Sequence, residues 1–213
     1  TGEKGGEGDP KLDNPNIISG MTDYANYLIG KWHVGKTVLP RDFGFRGHNF
    51  DGYGYPGSRV YKNLVFDQGP KQEPRYADWL KENGFEIPEV TNSYFGENPH
   101  LRVQELCGRL SGTREATLPF FVVDEAKKAV LEARKENKPF FIWMNFWGPH
   151  TPCVIPEPYY SMYKPEDVNL DESFYNPMQG KPLHYKDIAK MWGVWEAPEE
   201  RWKEIICKFW GYI

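Results

Sequence analysis

Between residues 117 and 146 a helical pattern runs, across a single proline, straight into an unbroken apolar run, and few folds accommodate that succession. Thr117 can N-cap, Pro119 sits in the first turn, and Val122, Val123, Ala126, Val130 and Ala133 make one stripe at helical spacing. Arg134, Lys135 and Lys138 suit the negative end of the helix dipole, and Pro139 stops a helix that the pattern places over 117–137. Residues 140–146 are then apolar almost continuously rather than alternately, so they read as a strand buried on both faces. A helix joined to such a strand by one or two residues is the αβ half of a parallel-sheet unit. The expected class is α/β.

Composition narrows what such a domain can do. At 213 residues the chain makes one large domain or two small ones, and 16 % aromatic residues argue for a packed core despite a mean hydropathy of -0.69. The 26 basic and 30 acidic residues leave a net charge of -4, so no basic excess exists to neutralise a phosphate backbone and no nucleic-acid partner is expected. The 21 glycines and 18 prolines exceed average usage and predict long, shaped loops. The strongest apolar runs, Phe120-Phe121-Val122-Val123 and Phe140-Phe141-Ile142-Trp143-Met144, fall far short of the ~20 residues that cross a bilayer, so no membrane span is expected. Cys107, Cys153 and Cys207 are odd in number and match no zinc spacing, which indicates neither a disulfide framework nor a cysteine metal site. Residues 1–16, rich in Gly, Lys and Glu, read as a flexible N-terminal segment and not as a secretory leader. The lack of an Asn-x-Ser/Thr sequon leaves the compartment open.

Other elements follow from local signals. Met21, Tyr24 and Leu28 fit a short helical face, but Tyr27-Leu28-Ile29 before Gly30 favours a buried strand ending there. Residues 40–57 read as a long surface loop, and 59–66 as a strand around Val60, Leu64 and Val65. Residues 74–83 make a short helix, with Tyr76, Trp79 and Leu80 on one face and Gly84 at the C′ position. A further helix over 198–210 carries Trp202, Ile205, Ile206, Phe209 and Trp210 on one stripe. The chain stops at Tyr212-Ile213 on that apolar trend, which suggests a piece of something longer.

Two segments could carry chemistry, and each follows a predicted strand: Gly30-Lys31-Trp32-His33-Val34-Gly35-Lys36 and Gly148-Pro149-His150-Thr151-Pro152. Loops at the carboxyl ends of strands in open α/β sheets present polar groups over a rigid scaffold. An ammonium and two imidazoles there could converge on an anion, the first as fixed charge and the others as donors or proton carriers. The plainer reading is a chance Lys-x-His and a rigid proline turn. Gly52-x-Gly54-x-x-Gly57 matches a dinucleotide pattern by count only, since it joins no strand to a helix. His48, His100 and His184 have no neighbour at metal spacing and read as surface or packing residues.

Tyr27-Leu28-Ile29-Gly30-Lys31-Trp32-His33-Val34-Gly35 resembles the Gly-Lys-Trp-His-Leu-Gly signature of the sulfatases. The stretch from Pro139 to Asn145 and Phe146, followed by Gly148-Pro149-His150-Thr151-Pro152, resembles that family's second histidine strand and loop. Pro156-Glu157-Pro158-Tyr159-Tyr160 resembles its Pro-Glu-x-Tyr stretch. The resemblance covers most of 17–213 and implies an alkaline-phosphatase-like three-layer α/β sandwich, with a largely parallel sheet flanked by helices, here incomplete. On that basis 17–213 is a partial sulfatase catalytic domain. The implied activity is hydrolysis of a small-molecule or glycan sulfate monoester with calcium and a formylglycine nucleophile. Carried over residue by residue, Lys31 binds a sulfate oxygen, His33 acts on the nucleophile's hydroxyl, and His150 contacts the sulfate and leaving-group oxygen.

The departures are equally specific. The Cys/Ser-x-Pro-x-Arg motif that yields formylglycine is missing: Cys107-Gly108-Arg109 has Arg where Pro is required, and Cys153-Val154-Ile155-Pro156 has Pro one position late. The family's Asp-Asp and Asp-Asn or Asp-His pairs, which hold calcium, are missing too, so no metal ligand is assigned. The chain reads as the middle of a sulfatase, expected to be inactive alone. Two alternatives stay open: a phosphate or phosphonate ester hydrolase on the same scaffold, and a non-catalytic module that binds anions or sulfated glycans.

Overall fold

The protein is described by a computed structural model, which describes residues 11–13, 15–34, 38–51, 75–95, 105–151, 153–176, 178–191 and 198–213. The chain divides into two units. Described residues within Thr1–Gly54, Tyr61–Ile87 and Arg114–Trp147 form the first, and those within Pro88–Thr113 and Gly148–Ile213 belong to the second. Most of the N-terminal segment, the strand expected around Val60 and Leu64, the Gly52-x-Gly54-x-x-Gly57 pattern and His100 lie outside the described residues.

In the first unit, β1 (Ala25–Trp32) is the centre of a three-stranded parallel sheet between β2 (Asn49–Asp51) and β5 (Phe140–Asn145). Tyr27, Leu28 and Ile29 are buried, as a central parallel strand demands. The strand does not end at Gly30 as expected but runs through Lys31 to Trp32. Gly30 is there for a close approach: its φ is +106°, and a Cβ would lie 1.9 Å from the Asn145 carbonyl oxygen on β5. The loop expected over 40–57 also contains regular structure, a 3₁₀ turn at Pro40–Phe43 and then β2. Backbone bonds draw this segment along β1 whatever its side-chain pattern, with Leu28 N donating to Arg46 O and Gly30 N to His48 O.

Helix α1 (Arg75–Glu82) forms as expected, burying Tyr76, Trp79 and Leu80, and Gly84 takes φ +72° beyond its end. Helix α2 (Leu118–Lys135) packs on β1 and β5, but its buried face is rotated from the expected one. Leu118, Phe121, Val122, Glu125, Ala129 and Ala133 are buried, while Val123 is exposed. A carboxylate occupies the middle of that face, Glu125, with Lys128 Nζ 2.8 Å away, and a count of apolar residues cannot anticipate it. Phe121 lies against the rings of Tyr76 and Trp79 and so ties α2 to α1. Thr117 is at the N-cap position, but its hydroxyl donates to the Arg114 carbonyl instead of capping.

The expectation that β5 is buried on both faces is not met. Phe140, Trp143 and Met144 are exposed at 46, 44 and 39 %. Among the described residues only β1 pairs with this strand, which makes it the sheet's edge.

The second unit holds a mixed sheet. Strand β4 (Glu105–Leu110) pairs antiparallel with β3 (Val90–Phe95) and parallel with β6 (Cys153–Pro156). Cys107, Cys153, Ile155 and Tyr160 form its core, closed by Tyr159 and by Ile205, Phe209 and Tyr212 of the last helix, α4 (Glu199–Tyr212). Helix α3 (Leu183–Met191), not anticipated from the sequence, is largely exposed. One parallel sheet, one mixed sheet and four α-helices among the described residues make this an α/β protein, as expected.

Candidate functional site

Because β1, β2 and β5 are parallel, their carboxyl ends share one edge of the sheet: Trp32 is in register with Asp51, and Gly30 with Asn145. Alternation along a strand separates neighbours and groups every second residue. Trp32 turns into the core with Ile18, Leu28 and Phe45, and its indole Nε1 donates to the Val38 carbonyl at 2.8 Å. The residues on either side of it, Lys31 and His33, are half-buried and exposed, respectively. The sequence Lys-Trp-His is thus an anchor flanked by two polar groups.

Lys31 is unusually framed. Its Nζ lies 4.3 Å from the ring centroid of Trp147, itself 4 % exposed, and its carbonyl accepts a 3.1 Å hydrogen bond from Asn145 Nδ2. Burial pulls the ammonium below the usual lysine pKa. An ammonium held against a ring face, with part of its water removed, keeps its full charge for an anion.

His150 belongs to the second unit, on the loop between Trp147 and β6, and is exposed. Its Nδ1 is hydrogen-bonded to the Thr151 carbonyl. A carbonyl only accepts, so Nδ1 is the donor of this bond. The loop starts at Gly148, where a Cβ would come within 3.2 Å of the Tyr212 ring at the end of α4. The structure therefore places Lys31 in β1 just before its last residue, Trp32, His33 just beyond the strand's end, and His150 on a separate loop.

Other reactive groups have different settings. The Cys107 thiol is pushed up by its hydrogen bond with Cys153 and by burial, and Cys207 is raised by burial, so neither resembles an activated nucleophile. His48 is not isolated as expected: its Nε2 is 3.3 Å from Glu125 Oε2. His184 is a surface residue against Tyr185, as expected. Among the described residues no three His, Cys, Asp or Glu side chains gather to hold a metal ion, so these residues do not fit a calcium site. Asn145 and Trp147 were not anticipated as site residues. The polar Asn145 closing an apolar strand was the visible signal, but its meaning depends on the pairing of β1 with β5.

No family model matches the chain. It is 66 % identical over 59 residues to an uncharacterized protein of Haemophilus influenzae, covering 28 % of this chain and 30 % of that one. It is 31 % identical over 105 residues to the multifunctional alkaline phosphatase superfamily protein PehA of Trinickia caryophylli, covering 48 and 20 %. It is 35 % identical over 77 residues to an arylsulfatase of Clostridium perfringens, covering 36 and 13 %. The matches thus span less than a third of the length of these curated relatives. Over these stretches the chain is similar to an alkaline phosphatase superfamily protein and to an arylsulfatase, and its α/β fold agrees with that likeness.

Proposed function

We propose that this chain supplies the oxyanion-binding and proton-transfer groups of a sulfuric ester hydrolase. Lys31 binds a peripheral sulfate oxygen, His33 moves a proton at the attacking hydroxyl, and His150 donates to the leaving-group oxygen. Sulfuryl transfer, like phosphoryl transfer, depends mainly on positioning and on stabilising charge at peripheral oxygens, which suits these three groups. The observation that supports the reading most is Lys31 itself, a half-buried ammonium at the carboxyl end of a parallel strand, set on a ring. Formylglycine and calcium are what the sulfatase resemblance implies for the complete enzyme, and no step is assigned to either through the residues described.

The test is kinetic. In the full-length protein, Lys31→Ala and His150→Ala should each lower kcat/KM for an aryl sulfate by on the order of 10²-fold or more. Unchanged kinetics in both would remove the assigned roles. Robust aryl sulfate turnover by the purified 213-residue chain would contradict its expected inactivity alone. The similarity to PehA, a multifunctional alkaline phosphatase superfamily protein, favours a second reading in which the ester is a phosphate or phosphonate. Comparing aryl sulfate with aryl phosphate in the full-length protein separates the two. Sulfate binding without turnover in that protein would point instead to an anion-binding module.

A further inference from the structure

We propose that Trp147 is a positioning residue for Lys31, its ring and the Asn145 amide together fixing where the ammonium stands before any anion arrives. The inference rests on the reading of Lys31 as the oxyanion-binding cation. Three contacts carry it, all within the first unit. The ring of Trp147 lies under Nζ at 4.3 Å, Asn145 Nδ2 holds the Lys31 carbonyl at 3.1 Å, and the approach at Gly30 fixes β1 against β5.

A lysine side chain is long and loses much rotamer freedom when held, so an ammonium used for binding gains from being held beforehand. A carboxylate could hold it, but would cancel its charge and compete with the incoming anion. An indole face attracts the cation through its quadrupole and leaves the net charge intact. Lys31 has no ion-pair partner among the described residues, and burial is what lowers its pKa. The ring thus acts as a neutral support. Trp147 touches no substrate in this scheme; it works through Lys31.

Two measurements on the full chain test this. With lysine labelled at Cε, the Lys31 methylene, assigned by its loss in Lys31→Arg, should show an upfield ring-current shift. Inorganic sulfate titration gives the second readout. Trp147→Leu should abolish the ring-current shift and weaken sulfate binding roughly tenfold. Trp147→Phe, which keeps a ring face, should restore most of the affinity. No ring-current shift in the wild type, or wild-type sulfate affinity in a folded Trp147→Leu, overturns the proposal. If Trp147→Leu fails to fold, the wild-type shift and the Trp147→Phe affinity still decide it. A wild-type chain with the ring-current shift but no sulfate affinity would remove the oxyanion reading and leave the positioning contact supported.

Discussion

Lys31 and His150 are both predicted site residues at strand ends, and their surroundings are opposites. Lys31 is half-buried and framed by residues from β5 and the segment just beyond it, 114 or more positions along the chain. His150 is exposed, and its described hydrogen bond is to the carbonyl of the next residue. The difference matches two kinds of chemistry. A group that stabilises charge gains from a fixed position and reduced solvent, because its field is then less screened. A group that exchanges protons near neutral pH needs water and an unburied ring, since burial disfavours the imidazolium. The supports of the two residues should therefore differ in how much they tolerate change.

The glycines beside them give the largest contrast. Gly30→Ala puts a methyl against the Asn145 carbonyl oxygen, a backbone atom held in a strand, at a φ that L residues rarely adopt. It should cost about 3 kcal/mol or more in urea unfolding. Gly148→Ala meets the edge of the Tyr212 ring, a side chain that can shift, and should cost about 1 kcal/mol. Equal losses at the two glycines would erase the distinction drawn here. The helix beneath Lys31's strand supplies a second contrast. Val122→Ala should cost about 2 kcal/mol and Val123→Ala less than about 0.5, because only the first faces the sheet. The reverse order would reinstate the stripe read from the sequence.

That stripe shows where legibility ended. Residues whose meaning is local were readable: Gly84 beyond the end of α1, Pro139 beyond the end of α2, and the apolar run of β5. Lys31 and His33 were readable as candidates because a Lys-x-His run follows an apolar stretch of strand. Meaning that depends on distant partners was not readable. Gly30 looked like a strand breaker until β5 was placed against it, and Glu125 reads as surface until Lys128 and His48 are seen beside it. The short β2 was hidden because three residues paired through their backbone leave no periodicity. Trp147, four residues beyond a tryptophan of β5, carried no mark of its own.

The framing of Lys31 also has a pH signature. Anion binding needs the ammonium, so sulfate affinity is full below the Lys31 pKa and falls up to tenfold per unit above it. Because burial lowers that pKa, the decline should begin at lower pH than the roughly 10.4 of an ordinary lysine. The stability term has the other sign. Between the lowered and the ordinary value the unfolded chain binds more protons than the folded one, so this residue's contribution rises with pH across that interval. Sulfate titrations of wild type and Lys31→Met over that range measure the first effect directly. A binding curve that declines only with ordinary lysines would show that burial does not reach the ammonium.

The smallest effect tests the scaffold behind Lys31 at acid pH. Asp124, on α2, accepts a 2.9 Å hydrogen bond from the Trp79 indole of α1, and that bond, followed by Lys128, holds its carboxyl below the usual aspartate range. A depressed carboxyl contributes stability that is present above the unfolded pKa and lost as pH falls through the folded one. The side chain is 39 % exposed, so screening keeps the contribution below about 1 kcal/mol. Asp124→Asn retains an acceptor for the indole but cannot ionise, so its urea midpoint should drop less than the wild type's between pH 5 and pH 3. Identical drops would mean that the link between α1 and α2 rests on Phe121, Tyr76 and Trp79 packing alone, with the carboxylate a bystander.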